Sequence, residues 1–171
     1  SYTATSDNDV GIYCANRFIN VEIIGHNSNG ADGYGFLATY TDQQPQAIRL
    51  LQCLFLGNTI DGIHFAKDAF VLNLTDTIVD NCAGYAIHLG PCTVNTGTDV
   101  KISGGFYWSK DVALYIKPAW QHIVVDGAVL SGEQTFATVY ASATTTTRTE
   151  NITIRNCRIG SKSTGSAINL D

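Results

Sequence analysis

A short pattern of alternating apolar residues recurs six times along this chain and constrains its fold more than any other feature. Two clear copies are residues 48–55 and 152–159, in which a Cys follows a polar turn residue. The offset between neighbouring copies ranges from 23 residues (123 − 100) to 29 residues (152 − 123). A repeat of this length is typical of stacked supersecondary units rather than of one globular core. The copies begin at Val21, Ile48, Leu72, Val100, Ile123 and Ile152.

Each copy predicts three short strands. Apolar residues two positions apart give a strand one buried face. A column of bend residues follows the first strand, and Gly, Asn and Asp dominate it because they best tolerate a left-handed backbone. The bend column comprises Gly25, Gln52, Asp76, Gly104, Gly127 and Asn156. The third strand carries the inward pairs Phe36/Ala38, Ile63/Phe65, Ile87/Leu89, Leu114/Ile116, Ala137/Val139 and Ile168/Leu170.

These features predict an all-β parallel solenoid of about six to seven coils in one domain, residues 1–171. We expect a partial coil in residues 1–19, where Ile12 and Cys14 fit the third-strand pattern, and six coils in residues 20–171. An antiparallel β-sandwich also has many short strands, but it does not predict bend residues at one phase in every copy. Because neither end carries a cap over the open coil, we expect a segment of a longer protein.

The motifs at residues 156–157 and 62–65 resemble those of the right-handed parallel β-helix family, which includes pectate lyases, polysaccharide epimerases and phage tailspikes. The resemblance covers residues 10–171 and is specific for the architecture, not for one activity. It implies a single-stranded right-handed parallel β-helix that acts on carbohydrate. Residues 33–36 are also similar to the start of an alginate-epimerase motif. Residues 37–39 lack the acidic residue and the His of that motif, so no catalytic role is carried over.

Composition excludes two classes of partner. The net charge is −5, with only ten Lys and Arg and no basic cluster, so we expect no nucleic-acid binding, which depends on neutralising phosphates. No apolar run approaches the length of a membrane span, so we expect no membrane insertion.

The five Cys cannot all pair, and nothing in the spacing of Cys82 and Cys92 requires a disulfide. With no disulfide required, a location of the protein in a phage virion (tail) is as consistent with its cysteines as an extracellular location.

Outward side chains of the third strand form the candidate site. Adjacent coils lie about 4.8 Å apart, so outward residues at one phase are neighbours. His64, His88 and Tyr115 form such a ladder beside a Gly/Ala strip, with Lys117 at the rim. Imidazole and phenol groups move protons, and an ammonium group neutralises a substrate carboxylate. The predicted ladder is Tyr13, Leu37, His64, His88, Tyr115, Thr138 and Asn169.

Asp61 and Asp111 lie in turns leading into this strand and are acid/base candidates. The His, Tyr and Lys set suits β-elimination or epimerisation of a uronic acid, whereas a glycosidase needs two carboxylates about 5–9.5 Å apart. The sequence leaves this choice open, and an ordinary solvated surface is the alternative to both. Stacking on sugar rings is expected of the aromatic residues Trp120, Trp108, Tyr40 and Tyr140, unless the two Trp only pack at coil edges.

No cofactor and no metal site are expected. The four His are His26, His64, His88 and His122, and they show no recognisable ligand spacing. Only His64 and His88 fall at one phase in neighbouring coils.

The outward column of the second strand predicts a protein interface. Leu54, Ile78, Phe106 and Val129 form an apolar stripe between the polar residues Asn27 and Arg158. At roughly 100 Å² each, they offer about 400 Å², comparable to the largest patch on a typical monomer. A homotrimer of parallel solenoids would bury this stripe in three equivalent copies.

Together with the resemblance, these features predict a polysaccharide-binding segment of a phage tailspike-like homotrimer, with depolymerisation by a lyase or hydrolase as its expected chemistry. Two other hypotheses stay open: a non-catalytic trimeric shaft, and a monomeric secreted lyase or epimerase. The resemblance carries much of the first hypothesis, and a fold does not by itself imply a function.

Overall fold

The computed structural model describes residues 3–4, 15–24, 33–38, 47–66, 71–91, 99–133, 137–142, 149–161 and 166–170. These residues form nineteen β-strands, and no helix among them is long and apolar enough to cross a membrane. In chain order the strands are β1 (Thr3–Ala4), β2 (Ala15–Ile19), β3 (Glu22–Ile24), β4 (Phe36–Ala38), β5 (Ala47–Leu51), β6 (Leu54–Leu56), β7 (Ile63–Phe65), β8 (Val71–Thr75), β9 (Ile78–Cys82), β10 (Ile87–Leu89), β11 (Asp99–Ser103), β12 (Phe106–Ser109), β13 (Leu114–Ile116), β14 (Gln121–Asp126), β15 (Val129–Gly132), β16 (Ala137–Ala141), β17 (Glu150–Arg155), β18 (Arg158–Ser161) and β19 (Ser166–Leu170).

Every third strand belongs to the same sheet. The first-strand sheet has the order β17-β14-β11-β8-β5-β2, and the second-strand sheet has the order β18-β15-β12-β9-β6-β3. The third-strand sheet has the order β1-β4-β7-β10-β13-β16-β19. The paired strands run parallel and come from successive copies of the repeat. This topology confirms the all-β parallel solenoid and excludes the antiparallel sandwich.

The regular part of the solenoid makes about four turns, fewer than the six to seven coils expected. The outer coils extend the sheets but enclose less core. In the last coil, Ile168 and Leu170 occupy the predicted inward positions, in register with the buried Val139 and Ala141, yet they are 38% and 57% exposed. The cause is that β19 has a neighbouring strand on only one side.

The interior consists of apolar columns that run along the solenoid. Ile48, Leu72, Val100 and Ile123 pair in register on successive coils, and none is more than 1% exposed. Complete burial of such a side chain contributes roughly 1.5–3 kcal/mol relative to exposure. Inward positions are therefore committed to stability, and chemistry is left to the outward positions and the turns.

The bend column adopts the left-handed backbone that its residues predict. This conformation is strained for most residues that carry a side chain, and Gly, Asn and Asp relieve the strain at all but one bend. The exception is Gln52, which has a φ of 53°. The bend residues, with φ between 48° and 69°, are Asn20, Gln52, Asp76, Gly104, Gly127 and Asn156.

The first copy begins earlier in the chain than predicted. Strand β2 pairs Asn16 with Ile48, which places the bend at Asn20 rather than at Gly25. Val21 therefore follows the bend instead of opening the first strand. Alternating apolar residues fit either strand, so the pattern alone could not choose between them. The coil boundary predicted at residue 20 moves to the start of β2.

Strand β16 is displaced by two residues from the predicted register. Tyr115 pairs with Tyr140, not with Thr138. Thr138 is buried, and its hydroxyl donates a hydrogen bond of 3.0 Å to the carbonyl oxygen of Gly160. The prediction failed because this strand has small or apolar residues at several alternate positions, and two registers satisfy such a pattern.

Three cysteines lie within the described residues as free thiols: Cys53, Cys82 and Cys157. Cys53 and Cys82 are buried, and burial raises the pKa of the Cys82 thiol to about 11. These side chains act as small apolar residues in the core. Cys14 and Cys92 lie outside the described residues.

Candidate functional site

The outward ladder of the third-strand sheet is present over its central rungs. His64 pairs in register with His88, and His88 pairs with Tyr115. Tyr140 occupies the next rung in place of Thr138. The ladder therefore reads Leu37, His64, His88, Tyr115, Tyr140 and Asn169. Thr3 pairs with Leu37 at the rung predicted for Tyr13, which lies outside the described residues.

The Gly/Ala strip predicted beside the ladder is a packed wall and not an exposed surface. Gly62, Ala86 and Ala113 are buried. A Cβ atom added to Gly62 would lie 2.1 Å from Cγ1 of Val79, closer than any real contact. The small residues are present because the core lies directly behind them, and they hold the ladder close to the body of the solenoid.

Asp61 links the two histidines of the ladder. Its Oδ2 atom lies 2.6 Å from Nδ1 of His64 and 3.0 Å from Nδ1 of His88. Its Oδ1 atom accepts a hydrogen bond of 2.8 Å from the backbone N–H of Tyr85. Asp61 is only 3% exposed. One buried carboxylate thus orients two imidazoles from neighbouring coils.

The protonation of this cluster is set by burial and by its hydrogen bonds. Burial alone raises the pKa of Asp61, but hydrogen bonds from His64, His88 and the Tyr85 N–H outweigh burial and lower it. Burial lowers the pKa of His88, and the charge of His64 acts in the same direction. The bond to Asp61 opposes this effect only in part. The favoured state is therefore a carboxylate beside a neutral His88.

The imidazole rings are packed against each other and against tyrosines. The ring centroids of His64 and His88 lie 4.1 Å apart. Tyr34 contacts His64 edge-on at 5.0 Å, and Tyr85 contacts His88 edge-on at 4.8 Å. Nε2 of His88 is buried and has no hydrogen-bond partner among the described residues. His64 therefore presents the more accessible imidazole, with its side chain 15% exposed.

A tyrosine surface continues the ladder beyond the histidines. The rings of Tyr115 and Tyr140 stack at 5.4 Å with an interplanar angle of 8°. Nζ of Lys117 lies 5.7 Å from the centroid of the Tyr115 ring. Half-buried aromatic rings beside a cation offer both an apolar contact surface and a positive charge.

Asp111 is in a different environment from Asp61. It is partly buried, and burial raises the pKa of its carboxyl group. The charge of Asp61 raises it further. The described hydrogen bonds do not join Asp111 to His64 or His88.

The two predicted tryptophan contacts are not part of this surface. Trp120 is completely buried, and its Nε1–H donates a hydrogen bond of 2.6 Å to the carbonyl oxygen of Gly90. It therefore fills the core and exposes no face to a sugar. Trp108 lies on β12 of the second-strand sheet, a different face of the solenoid. Tyr40 lies outside the described residues.

The apolar stripe of the second-strand sheet is in register, as predicted. Leu54, Ile78, Phe106 and Val129 occupy successive rungs. Ile78 is 40% exposed, whereas the other three are half-buried. Arg158 ends the stripe, and Glu22 takes the place predicted for Asn27, which lies outside the described residues.

Three groups of the ladder are close enough to share a metal ion. One ring nitrogen of His64, one of His88 and one carboxylate oxygen of Asp61 lie within 4.8 Å of one another. The prediction of no metal site was based on the spacing of the four histidines and did not combine them with Asp61. Asp61 belongs to the turn before the strand and reaches the two imidazoles from a different phase of the repeat.

Comparison with protein-family models, curated proteins and solved structures finds no match to this chain. The parallel solenoid rests on its own strand pairing. Because one architecture can support many activities, function has to be argued from the site.

Proposed function

We propose that the third-strand face binds an acidic polysaccharide and cleaves it by β-elimination. The observation that carries this proposal is the pair of imidazoles held on one buried carboxylate, with Tyr115 on the next rung and Lys117 beside the Tyr115 ring. A glycan lying along the solenoid axis would meet these groups in sequence. In this proposal the chain serves a phage tail or another extracellular assembly that contacts bacterial surface polysaccharide.

Each residue of the site has its own role in the proposed reaction. Asp61 accepts the Nδ1–H of His64, which leaves the lone pair on Nε2 free to remove the proton beside the uronate carboxyl group. That C–H bond breaks, a C=C bond forms, and the glycosidic C–O bond breaks. The Tyr115 hydroxyl donates a proton to the departing oxygen. Lys117 neutralises the uronate carboxylate, which stabilises the negative charge that develops in the transition state.

His64 is preferred over His88 as the base. Nε2 of His88 is buried, so a substrate could not reach it without a rearrangement. His88 instead positions Asp61 through its Nδ1 hydrogen bond of 3.0 Å. This asymmetry between two neighbouring histidines makes the proposal specific.

Hydrolysis fits these residues less well. A glycosidase needs one carboxylic acid and one available carboxylate. The raised pKa of Asp111 suits the acid, but Asp61 already accepts three N–H groups and is 3% exposed. Asp61 is therefore poorly placed to activate water or attack a sugar.

The test is an assay on a panel of acidic bacterial polysaccharides in the presence of EDTA. We expect release of oligosaccharides that carry the ultraviolet absorbance of an unsaturated uronate. His64→Gln should lower the rate at least about 100-fold, the lower limit for a general base. His122→Gln is the matched control, because His122 is exposed on the first-strand sheet.

Three results would oppose the elimination mechanism. Absence of turnover on every glycan would remove the catalytic claim. Products without the unsaturated chromophore would indicate hydrolysis. Deuterium uptake from solvent without chain cleavage would indicate epimerisation.

The apolar stripe supports a second candidate, a trimeric shaft that holds the assembly together. Ile78 exposes 40% of its surface at the centre of four apolar rungs, where a monomer would place polar residues. Light scattering should give the mass of a trimer for the wild-type chain and a smaller mass for Ile78→Asp. A monomeric wild-type chain would contradict this candidate and leave a secreted lyase or epimerase.

A further inference from the structure

We propose that Asp61, His64 and His88 form a binding site for a first-row transition-metal dication of the Zn²⁺ class. This inference does not rest on the proposed glycan chemistry, because it concerns the ligands themselves and is tested without a glycan.

The ligand atoms are already close to the spacing that an ion requires. Bonds of about 2.1 Å in a tetrahedral Zn²⁺ site separate neighbouring ligand atoms by roughly 3.4 Å. Oδ2 of Asp61 lies 2.6 Å from Nδ1 of His64 and 3.0 Å from Nδ1 of His88. Each of these two separations would widen by less than about 1 Å to reach the spacing of a tetrahedral site, and all three ligand atoms already lie within 4.8 Å of one another.

The scaffold fixes the backbone positions of these ligands. His64 and His88 are register partners on adjacent parallel strands, so the backbone sets their separation. Oδ1 of Asp61 is anchored by the Tyr85 N–H, which leaves Oδ2 directed at the imidazoles. A carboxylate ligand that is itself hydrogen-bonded is a recurrent feature of metal sites, because it fixes the orientation of the ligand.

The site is sheltered. The side chains of Asp61, His64 and His88 are only 5%, 15% and 12% exposed. Tyr34 and Tyr85 cover the edges of the two imidazoles. A metal ion bound here would have little contact with bulk water. This low exposure distinguishes the cluster from a His–Asp pair on the surface.

The donor set determines the class of ion. Two imidazole nitrogens and one carboxylate oxygen suit Zn²⁺, Co²⁺, Ni²⁺ or Cu²⁺. Ca²⁺ and Mg²⁺ require sets of oxygen ligands, which this cluster does not supply. Three protein ligands leave one tetrahedral position for water or another exogenous ligand.

The first measurement is calorimetric titration of the EDTA-stripped full chain with Zn²⁺. We expect one equivalent to bind, and excess Mg²⁺ should not displace it. Asp61→Asn, His64→Gln and His88→Gln should each weaken binding by more than about tenfold, because loss of a residue that only hydrogen-bonds to a metal ligand already costs about that much. The matched control is the double variant Asp99→Asn/His122→Gln, since Asp99 and His122 form an exposed pair at 3.4 Å.

The second measurement is the visible spectrum of the Co²⁺-loaded wild-type chain, which does not depend on whether any variant folds. An intense four-coordinate spectrum, lost on addition of Zn²⁺, supports the site. A weak spectrum like that of aqueous Co²⁺ overturns it. Equal affinity in the wild type and all three ligand variants also overturns it, as does loss of binding in the Asp99/His122 control.

Metal binding and glycan cleavage can be separated experimentally. An ion on Nδ1 of His64 forces the remaining ring proton onto Nε2, so the lone pair needed for elimination is lost. If both proposals hold, Zn²⁺ inhibits cleavage and EDTA restores it. Zn²⁺ binding to a chain that cleaves no glycan supports the metal site alone, whereas cleavage in a chain that binds no Zn²⁺ overturns the metal site alone.

Discussion

The third-strand ladder and the second-strand stripe are built from the same repeat, yet they use their outward positions in opposite ways. The ladder surrounds a charge: Asp61 accepts hydrogen bonds from two rungs and from a backbone N–H. The stripe carries four apolar side chains in register. The carboxylate at the centre of the ladder is therefore satisfied within the chain, whereas the apolar surface of the stripe would be stabilised by a partner. Because parallel stacking brings residues of equal phase together, a residue type that recurs at one phase forms a continuous column on the surface.

The largest effect in this comparison is expected from Asp61→Asn. The change removes the charge that accepts three N–H groups in a buried position, so the free energy of unfolding should fall by about 2–4 kcal/mol. Urea denaturation followed by circular dichroism measures it. Asp99→Asn is the control, because Asp99 is exposed and should show no measurable change. Equal stability of both variants would mean that the carboxylate does not organise the ladder.

Gly62→Ala should be the next most damaging change. The new Cβ would lie 2.1 Å from Cγ1 of Val79 and 2.9 Å from the carbonyl oxygen of Ala86. Overpacking of this kind destabilises by about 1–3 kcal/mol. Gly160→Ala is the matched control, since its new Cβ would meet only Oγ of Ser131 at 3.8 Å. A Gly62→Ala variant as stable as the control would show that the residues packed against Gly62 can move aside at little cost in stability.

Stability should also depend on pH through His88, with a smaller effect. Its pKa in the fold lies below its ordinary value of 6.5, so the unfolded chain binds more protons near that pH. The free energy of unfolding should therefore fall as the pH is lowered from 7 through 6.5 and below. Urea titrations at several pH values in EDTA measure this slope. His88→Gln should flatten it, and His122→Gln should leave it unchanged.

The smallest effect on the isolated chain is expected from the stripe. Ile78→Thr keeps a β-branched side chain and removes apolar surface at a position that is 40% exposed. The unfolding free energy of the monomer should change by no more than about 0.5 kcal/mol, as for most surface substitutions. Thermal unfolding under dilute conditions measures it. A large loss would show that the stripe packs within its own chain, which would end the contrast with the ladder.

Much of the fold could be predicted because every copy of the repeat has the same alternation of apolar residues and the same bend position. The inward pair Ile63 and Phe65 was placed correctly, and so was the bend at Gln52. Errors occurred where the local pattern permits two solutions. Two registers suit β16, and Val21 fits either strand of the first copy. Only pairing with a neighbouring coil decides between such registers.

The candidate site was predicted less completely than the fold. The phase of the repeat predicted that His64, His88 and Tyr115 are neighbours, because side chains at one phase of stacked coils lie side by side. The sequence identified Asp61 as an acid/base candidate but could not show that both histidines share it. It also assigned Trp120 to sugar stacking, although the ring is buried. Sequence alone does not tell which way a turn residue points.

By itself, the sequence determined the repeat, the bend column and the two outward columns, since each follows from periodicity and backbone preference. Only the tertiary structure decided that the carboxylate of Asp61 is hydrogen-bonded to two imidazoles, with Oδ2 at 2.6 and 3.0 Å from their Nδ1 atoms. The physical reason is distance along the chain. Asp61 and His88 are 27 residues apart, and only the stacking of complete coils brings them into contact.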